Sequence, residues 1–162
     1  MNELLEPRSR VTEKLRPVVE SLPTEAQLPF LAALERGAAA RYRSWADATS
    51  DPDLAEGLRA CATREEHIAT RIETLVGRDA SQFPGLDSAW AEVREIGVKA
   101  FAERPLAEQF ATQANAERGG AAAWRELASD ASPQDRAVFE ACAGLEEESA
   151  AYLEKILRDG RA

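Results

Sequence analysis

Histidine is almost absent from this chain, with His67 the single example in 162 residues. A hydrolase or transferase that moves protons through imidazole, or attacks through an activated nucleophile, finds little support here. Cysteine is nearly as scarce. Cys61 and Cys142 are too few and too far apart for a disulfide framework or a thiolate zinc site, so they read first as small buried apolar residues. Basic residues are outnumbered, with 20 lysines and arginines against 29 aspartates and glutamates and a formal net charge of -9. That balance argues against a nucleic-acid partner, because binding phosphates requires a basic stripe. Long apolar runs are missing too: the longest, Leu28 to Leu34, is interrupted by Pro29 and is far too short to span a bilayer, so no membrane partner is expected. The N-terminus, Met-Asn-Glu-Leu-Leu-Glu-Pro-Arg, lacks the apolar stretch and small-residue cleavage site of a secretory signal, and the expected location is cytoplasmic.

What is present is alanine, glutamate, leucine and arginine in abundance, without the alternating Val, Ile and Thr pattern of a half-buried strand. The expected class is all-α. Pro23, Pro52, Pro105 and Pro133 punctuate the chain, and both Ser50-Asp51-Pro52 and Ala131-Ser132-Pro133 read as an N-cap followed by proline at the first helical position. Gly77 and Gly160 stand where C-terminal stops belong. These signals predict a short helix over about 8–21 and long helices over about 25–48 and 52–76, then a loop holding Phe83-Pro84-Gly85. The second half predicts a short helix over about 88–103 and long helices over about 106–129 and 133–158.

The two halves match at an offset of 82, where Glu35-Arg36-Gly37-Ala38-Ala39-Ala40-Arg41-Tyr42 aligns with Glu117-Arg118-Gly119-Gly120-Ala121-Ala122-Ala123-Trp124 and Pro23 with Pro105. After the loss of one residue, Pro52 aligns with Pro133, Ala60-Cys61-Ala62 with Ala141-Cys142-Ala143, and Glu65-Glu66 with Glu146-Glu147. Alanine-rich helices give chance similarity, but shared prolines and cysteines strengthen the case for duplication, with repeats over about 8–77 and 88–158. Two repeated helical hairpins, each preceded by a short helix, predict a four-helix bundle filling a single domain over 1–162.

Steps of three and four residues trace the face that each long helix turns to its neighbours. In the first this seam runs Leu28, Leu31, Glu35, Ala38, Tyr42, Trp45, and in the second Leu54, Leu58, Cys61, Glu65, Ile68, Ile72, Leu75. The third reads Leu106, Phe110, Gln113, Glu117, Gly120, Trp124, Leu127 and the fourth Phe139, Cys142, Glu146, Ser149, Leu153, Ile156. One glutamate interrupts each line. Glu35 and Glu65 are equidistant from Ser50, and Glu117 and Glu146 from the turn at Ala131-Ser132, each on the order of 22 Å along its helix. The four carboxylates are therefore expected in one layer. Four like charges out of water need neutralising by one or two metal ions, by protons, or by Arg36, Arg64 or Arg118 folding back. Oxygen donors favour hard cations such as Mn, Mg, Ca or Fe.

These residues resemble the ferritin-like superfamily of ferritins, rubrerythrins and related di-iron carboxylate proteins, over nearly the whole chain. In that family the first and third helices each carry an inward glutamate and the second and fourth a Glu-x-x-His pair. Glu35 and Glu117 match the first class, and Glu65 and Glu146 the glutamates of the second. Glu35 and Tyr42, seven residues apart, also match the glutamate and tyrosine of ferritin and rubrerythrin first helices. The histidines depart from the pattern: Ile68 and Ser149 stand in their places. His67 lies roughly 200° around the helix from Glu65 and reads as a surface residue. The resemblance implies a divalent-metal protein holding Fe or Mn, with oxidation of Fe(II), iron storage or radical chemistry as the family's activities. No specific reaction follows.

Around the layer, Tyr42 and Trp124 occupy equivalent positions, and the Tyr42 hydroxyl is a candidate partner for a carboxylate. Gln113, one turn from Glu117, is a candidate to orient it. Cys61 and Cys142 lie one turn from Glu65 and Glu146, where packing is the first reading and thiolate ligation the second. Gly37, Gly119 and Gly120 predict close helix approach near the layer, and Glu66, Glu147 and Glu148 read as solvated acidic faces. The competing expectation is a metal-free bundle, its acids neutralised internally, acting as an interaction or structural module. Under either reading the short helices and an exposed Trp90 are expected to offer a homodimer surface; no other protein partner is indicated.

Overall fold

The computed structural model describes residues 10–162. The N-terminal stretch read for a secretory signal, and the start of the helix expected from about residue 8, lie outside the described residues. Six α-helices and one 3₁₀ turn account for the regular structure among the described residues: α1 (Val11–Glu20), α2 (Thr24–Ala48), α3 (Pro52–Val76), the 3₁₀ turn Ala80–Gln82, α4 (Asp87–Phe101), α5 (Leu106–Ser129) and α6 (Pro133–Arg158).

Local chemistry accounts for most of these boundaries. The Asp51 carboxylate accepts from the backbone N–H groups of Asp53 and Leu54 at 3.0 and 3.2 Å, and Pro52 follows as the first helical residue of α3. Ser132 caps α6 in the same way, accepting from the Asp135 N–H at 3.2 Å ahead of Pro133. Each such cap contributes about 1 kcal/mol. Pro23 and Pro105 occupy the N-cap positions of α2 and α5, and Gly77 closes α3 in the left-handed region at φ 69°. The helix expected to reach residue 103 stops at Phe101 because the chain turns sharply there, with Glu103 itself at φ 57°.

The four long helices pair as two hairpins, α2 with α3 and α5 with α6, and α3 lies along α6. The fourth side is open: the backbones of α2 and α5 stay apart, and α1 and α4 pack against each other across the gap. α1 is anchored where Gly119 has no side chain, because a Cβ there would stand 2.6 Å from the Thr12 hydroxyl. That hydroxyl donates to the Ala116 carbonyl at 3.1 Å, and Arg16 pairs with Glu126 at 3.0 Å on the same helix.

Two apolar clusters fill the bundle at either end of the carboxylate layer, one around Tyr42, Trp45, Leu58, Phe110 and Leu153, the other around Ile68, Ile72, Trp124 and Phe139. A third, with Val18, Phe30 and Leu86, lies under α1 and α4. Each large side chain so buried contributes about 1.5–3 kcal/mol. Trp90 belongs to this third group. It is half-buried, with its ring 4.2 Å from that of Phe30, and is not the exposed aromatic that the sequence suggested as a dimer surface. Spacing along α4 alone does not reveal that Phe30 of α2 will meet this ring.

Candidate metal centre

Each long helix contributes one carboxylate to a layer in the middle of the bundle. One oxygen each from Glu35 on α2, Glu65 on α3 and Glu146 on α6 lie within 4.8 Å of one another. Glu117 on α5 adjoins this trio but is drawn aside, its Oε1 accepting from the Tyr42 hydroxyl and from Gln113 Nε2, both at 2.7 Å. Both bonds were foreshadowed by the seam positions of Tyr42 and Gln113. Trp124, marked by its equivalence to Tyr42, reaches across to α6 and donates from Nε1 to Glu146 Oε1 at 3.0 Å. Room for that carboxylate comes from Gly120, where a Cβ would stand 2.5 Å from Glu146 Oε1.

Glu65 sits at the back of the layer, wholly enclosed. Its Oε1 accepts from the Ser149 hydroxyl at 3.0 Å, so the residue standing in place of one family histidine serves as a donor to the opposite glutamate. Its Oε2 is buried with no hydrogen-bond partner. Ile68, in the other histidine position, is fully buried among apolar neighbours. His67 is exposed, as its helical angle requires.

Glu35 differs from the other three. It keeps partial exposure, which faces a cleft of about 510 Å³ running from the layer to the surface beneath α1 and α4. No hydroxyl, amide or indole of the described residues bonds it; its hydrogen-bond partner is the carboxyl of Glu65. Burial, and then the charge of Glu117, push Glu35 up to about 8. Burial likewise raises Glu65 well above the carboxylate range, with Glu117 and Glu35 adding repulsion, and raises Glu146, with Glu35 and Glu117 adding theirs. The layer thus holds too much negative charge for its surroundings.

The arginines considered as internal neutralisers all turn outward. Arg36 pairs with Glu66 and Glu73, Arg64 with Glu148 at 3.0 Å, and Arg118 with Glu154 at 2.8 Å. Glu66 is therefore tied into a network and is not a freely solvated acid. The guanidinium that does approach is Arg41, unmarked by the seam because it lies beside it. Arg41 stacks on Phe101 with 4.0 Å to the ring centroid and donates Nη1 to Gln113 Oε1 at 2.6 Å. Through Gln113 it is joined to Glu117, leaving the trio without a cation of its own. Cys61 and Cys142 are buried free thiols, each pushed up to about 12 chiefly by burial, as suits packing residues and not thiolate ligands.

The three carboxylate oxygens suit a hard divalent ion by donor chemistry, and their mutual separation stays within what two ligands of one ion can span. Two oxygens on opposite sides of a cation at about 2.4 Å each are about 4.8 Å apart, within the ordinary range for hard divalent ions. The Oε2 of Glu65 receives no hydrogen bond from a described N–H or hydroxyl group, and the neighbouring polar group is the Glu35 carboxyl. Comparison with protein-family models, curated proteins and solved structures finds no match for this chain.

Proposed function

We propose that this chain is a ferritin-like bundle of two duplicated hairpins, each led by a short helix, that binds a divalent cation through Glu35, Glu65 and Glu146, with Glu117 beside them. The observation that carries the reading is the unpartnered, fully buried Oε2 of Glu65 inside a trio of carboxylates. A buried ionised carboxylate costs several kcal/mol unless a cation compensates it. The near-equal lengths of α2 and α5 and of α3 and α6, 25 and 24 then 25 and 26 residues, support the duplication. Oxygen donors without nitrogen suit Mn or Fe in the divalent state, and equally Mg or Ca. A bound Mn or Fe ion would supply redox or Lewis-acid chemistry. Tyr42 and Gln113 hold Glu117 in place, Trp124 holds Glu146 and Ser149 holds Glu65.

One observation favours a second reading, in which the bundle is metal-free and serves as a homodimeric interaction or structural module. Neutral donors already serve Glu65, Glu117 and Glu146, and burial raises Glu35, Glu65 and Glu146, an arrangement that tolerates protonated acids. Elemental analysis of gently purified, untagged protein separates the two, alongside thermal melts with Fe(II), Mn(II), Mg(II) and Ca(II) for the wild type and for Glu65→Leu with Glu146→Leu. Stoichiometric metal, or a rise in Tm that the double variant lacks, supports the metal centre. No metal, no shift and a more stable variant sink it in favour of the second reading. Cytoplasmic residence and self-association belong to the same proposal, and are tested by fractionation and sedimentation. Among the described residues no helix is long and apolar enough to cross a membrane.

A further inference from the structure

The cleft above Glu35 is the feature that a buried metal centre does not by itself explain. Its volume of about 510 Å³ falls within the range of small-molecule pockets. It exists because α2 and α5 meet only through long side chains while small residues, among them Ala38, Ala116 and Ala123, face the gap. Its walls are mostly apolar and include Trp90, Phe101 and Trp124. Its floor is the carboxylate layer, with Glu35, Glu117 and Glu146 reaching it.

The charges select the occupant. At the mouth, Glu20, Glu126 and Asp130 outnumber Arg16, which is itself committed to Glu126 and lies close to Glu20. At the floor, Arg41 is the only cationic side chain among the described residues that line that end, and its guanidinium is held by Gln113 and Phe101. It is poorly placed to receive an anion. Burial favours protons on Glu35, Glu65 and Glu146 while the layer is empty, and an entering cation favours their ionised forms; with all four ionised, one divalent ion and Arg41 together still leave one negative charge uncompensated. An anionic head group is repelled under these conditions, and a cationic one is attracted.

We propose that this cleft binds an organic amine, its apolar or aromatic body lying beneath α1 and α4 and its ammonium group on the cleft-facing carboxylate of Glu35. Glu35 is suited to that role because it faces the opening and, unlike Glu117 and Glu146, receives no hydrogen bond from a described hydroxyl, amide or indole. A carboxylate has two oxygens, so Glu35 can meet the buried trio with one and the ligand with the other. The aromatic walls add favourable contact with a cation. The inference does not require an ion in the trio, since in metal-free protein the ammonium takes the place of the proton that burial favours on Glu35.

The test is calorimetric titration with an isosteric set, 4-phenylbutylamine, 4-phenylbutanol and 4-phenylbutyrate. Each is titrated at about pH 8.5, where Glu35 is largely ionised and the probe amine is still charged, into chelator-treated protein and into protein given one equivalent of Mn(II), with Mn(II) uptake itself titrated separately. The amine should bind at least about tenfold more tightly than the alcohol or the acid in both preparations, as a single buried ion pair requires. Glu35→Gln should erase that preference while alcohol binding persists, and Ala38→Phe, which fills the cleft one turn from Glu35, should abolish binding of all three. A preference for the acid, a preference for the amine that survives Glu35→Gln, or no binding of any probe overturns the proposal. Manganese uptake without amine binding refutes this inference and leaves the metal reading standing; amine binding without manganese uptake does the reverse.

Discussion

Replacing Glu35 by glutamine in metal-free protein reports directly on whether the carboxylate layer is a strained cluster of acids. Burial and the Glu117 charge lift Glu35 from an ordinary 4.5 to about 8 in the folded state. Between those values the folded chain holds a proton that the unfolded chain has released. Stability contributed by the protonated group is complete below pH 4.5 and is lost as pH climbs toward 8, with a slope of about 1.4 kcal/mol per pH unit for one proton. Across the whole interval this amounts to about 5 kcal/mol as an upper bound, reduced where water enters from the cleft. Glutamine keeps the shape and removes the titration. Urea unfolding with a chelator present, repeated from about pH 5 to pH 8, should therefore show the wild type losing stability with rising pH more steeply than the variant, by about one proton's worth. The two should be within about 1 kcal/mol at the acid end, and the variant more stable by about 3 kcal/mol or more at the alkaline end. Saturating Mn(II) should then offset most of that gap at pH 8, since a ligand at a hundred times its Kd stabilises by about 2.7 kcal/mol and the variant has lost one of the three donors. Parallel wild-type and variant curves, or a wild type that gains stability as pH rises, would refute the reasoning.

Three further outcomes follow from the same geometry. Tyr42→Phe removes the fully buried hydroxyl that donates to Glu117 Oε1, leaving Gln113 as its donor; urea melts should show a loss of about 1.5–3 kcal/mol, the range for a hydrogen bond to a charged group. Gly120→Ala places a methyl against the Glu146 carboxylate, so Mn(II) affinity measured by calorimetry should fall at least about tenfold. Its helix-propensity gain of up to about 1 kcal/mol should keep the fold intact, and unchanged affinity would show that the position of Glu146 does not matter. Cys61 and Cys142 should resist iodoacetamide in the native protein at about pH 8 and react on unfolding, as followed by mass spectrometry, because burial keeps both thiols protonated far above that pH.

Much of the architecture was legible because it rests on short-range rules. Asp51 and Ser132 cap the helices that follow them, Pro52 and Pro133 begin those helices, and Gly77 ends one, and each of these is a contact within a few residues. The carboxylate layer was legible for a related reason. A fixed rise per residue and a short hairpin turn place equidistant residues at one height, so Glu35, Glu65 and Glu146 converge as their spacing implies. Tyr42 and Gln113 were marked by the same spacing. Less could be read of partners across the bundle. Ser149 stood only as a missing histidine until Glu65 was found opposite it, and nothing in the sequence marked Arg41, whose place depends on Phe101 and Gln113 of other helices. The outward turn of Arg36, Arg64 and Arg118 depended on acids of the neighbouring helix competing for them.

By itself the sequence determined an all-helical chain, the ends of its helices, and four glutamates at matched heights, all of which depend on rise, angle and capping along a single helix. Tertiary structure decided which carboxylates meet, which donors hold them, and that α2 and α5 stand apart beneath α1 and α4 to leave a cleft over Glu35. A helix specifies the angle at which each side chain leaves its axis, but the identity and distance of what that side chain meets depend on the sizes of residues from several helices at once.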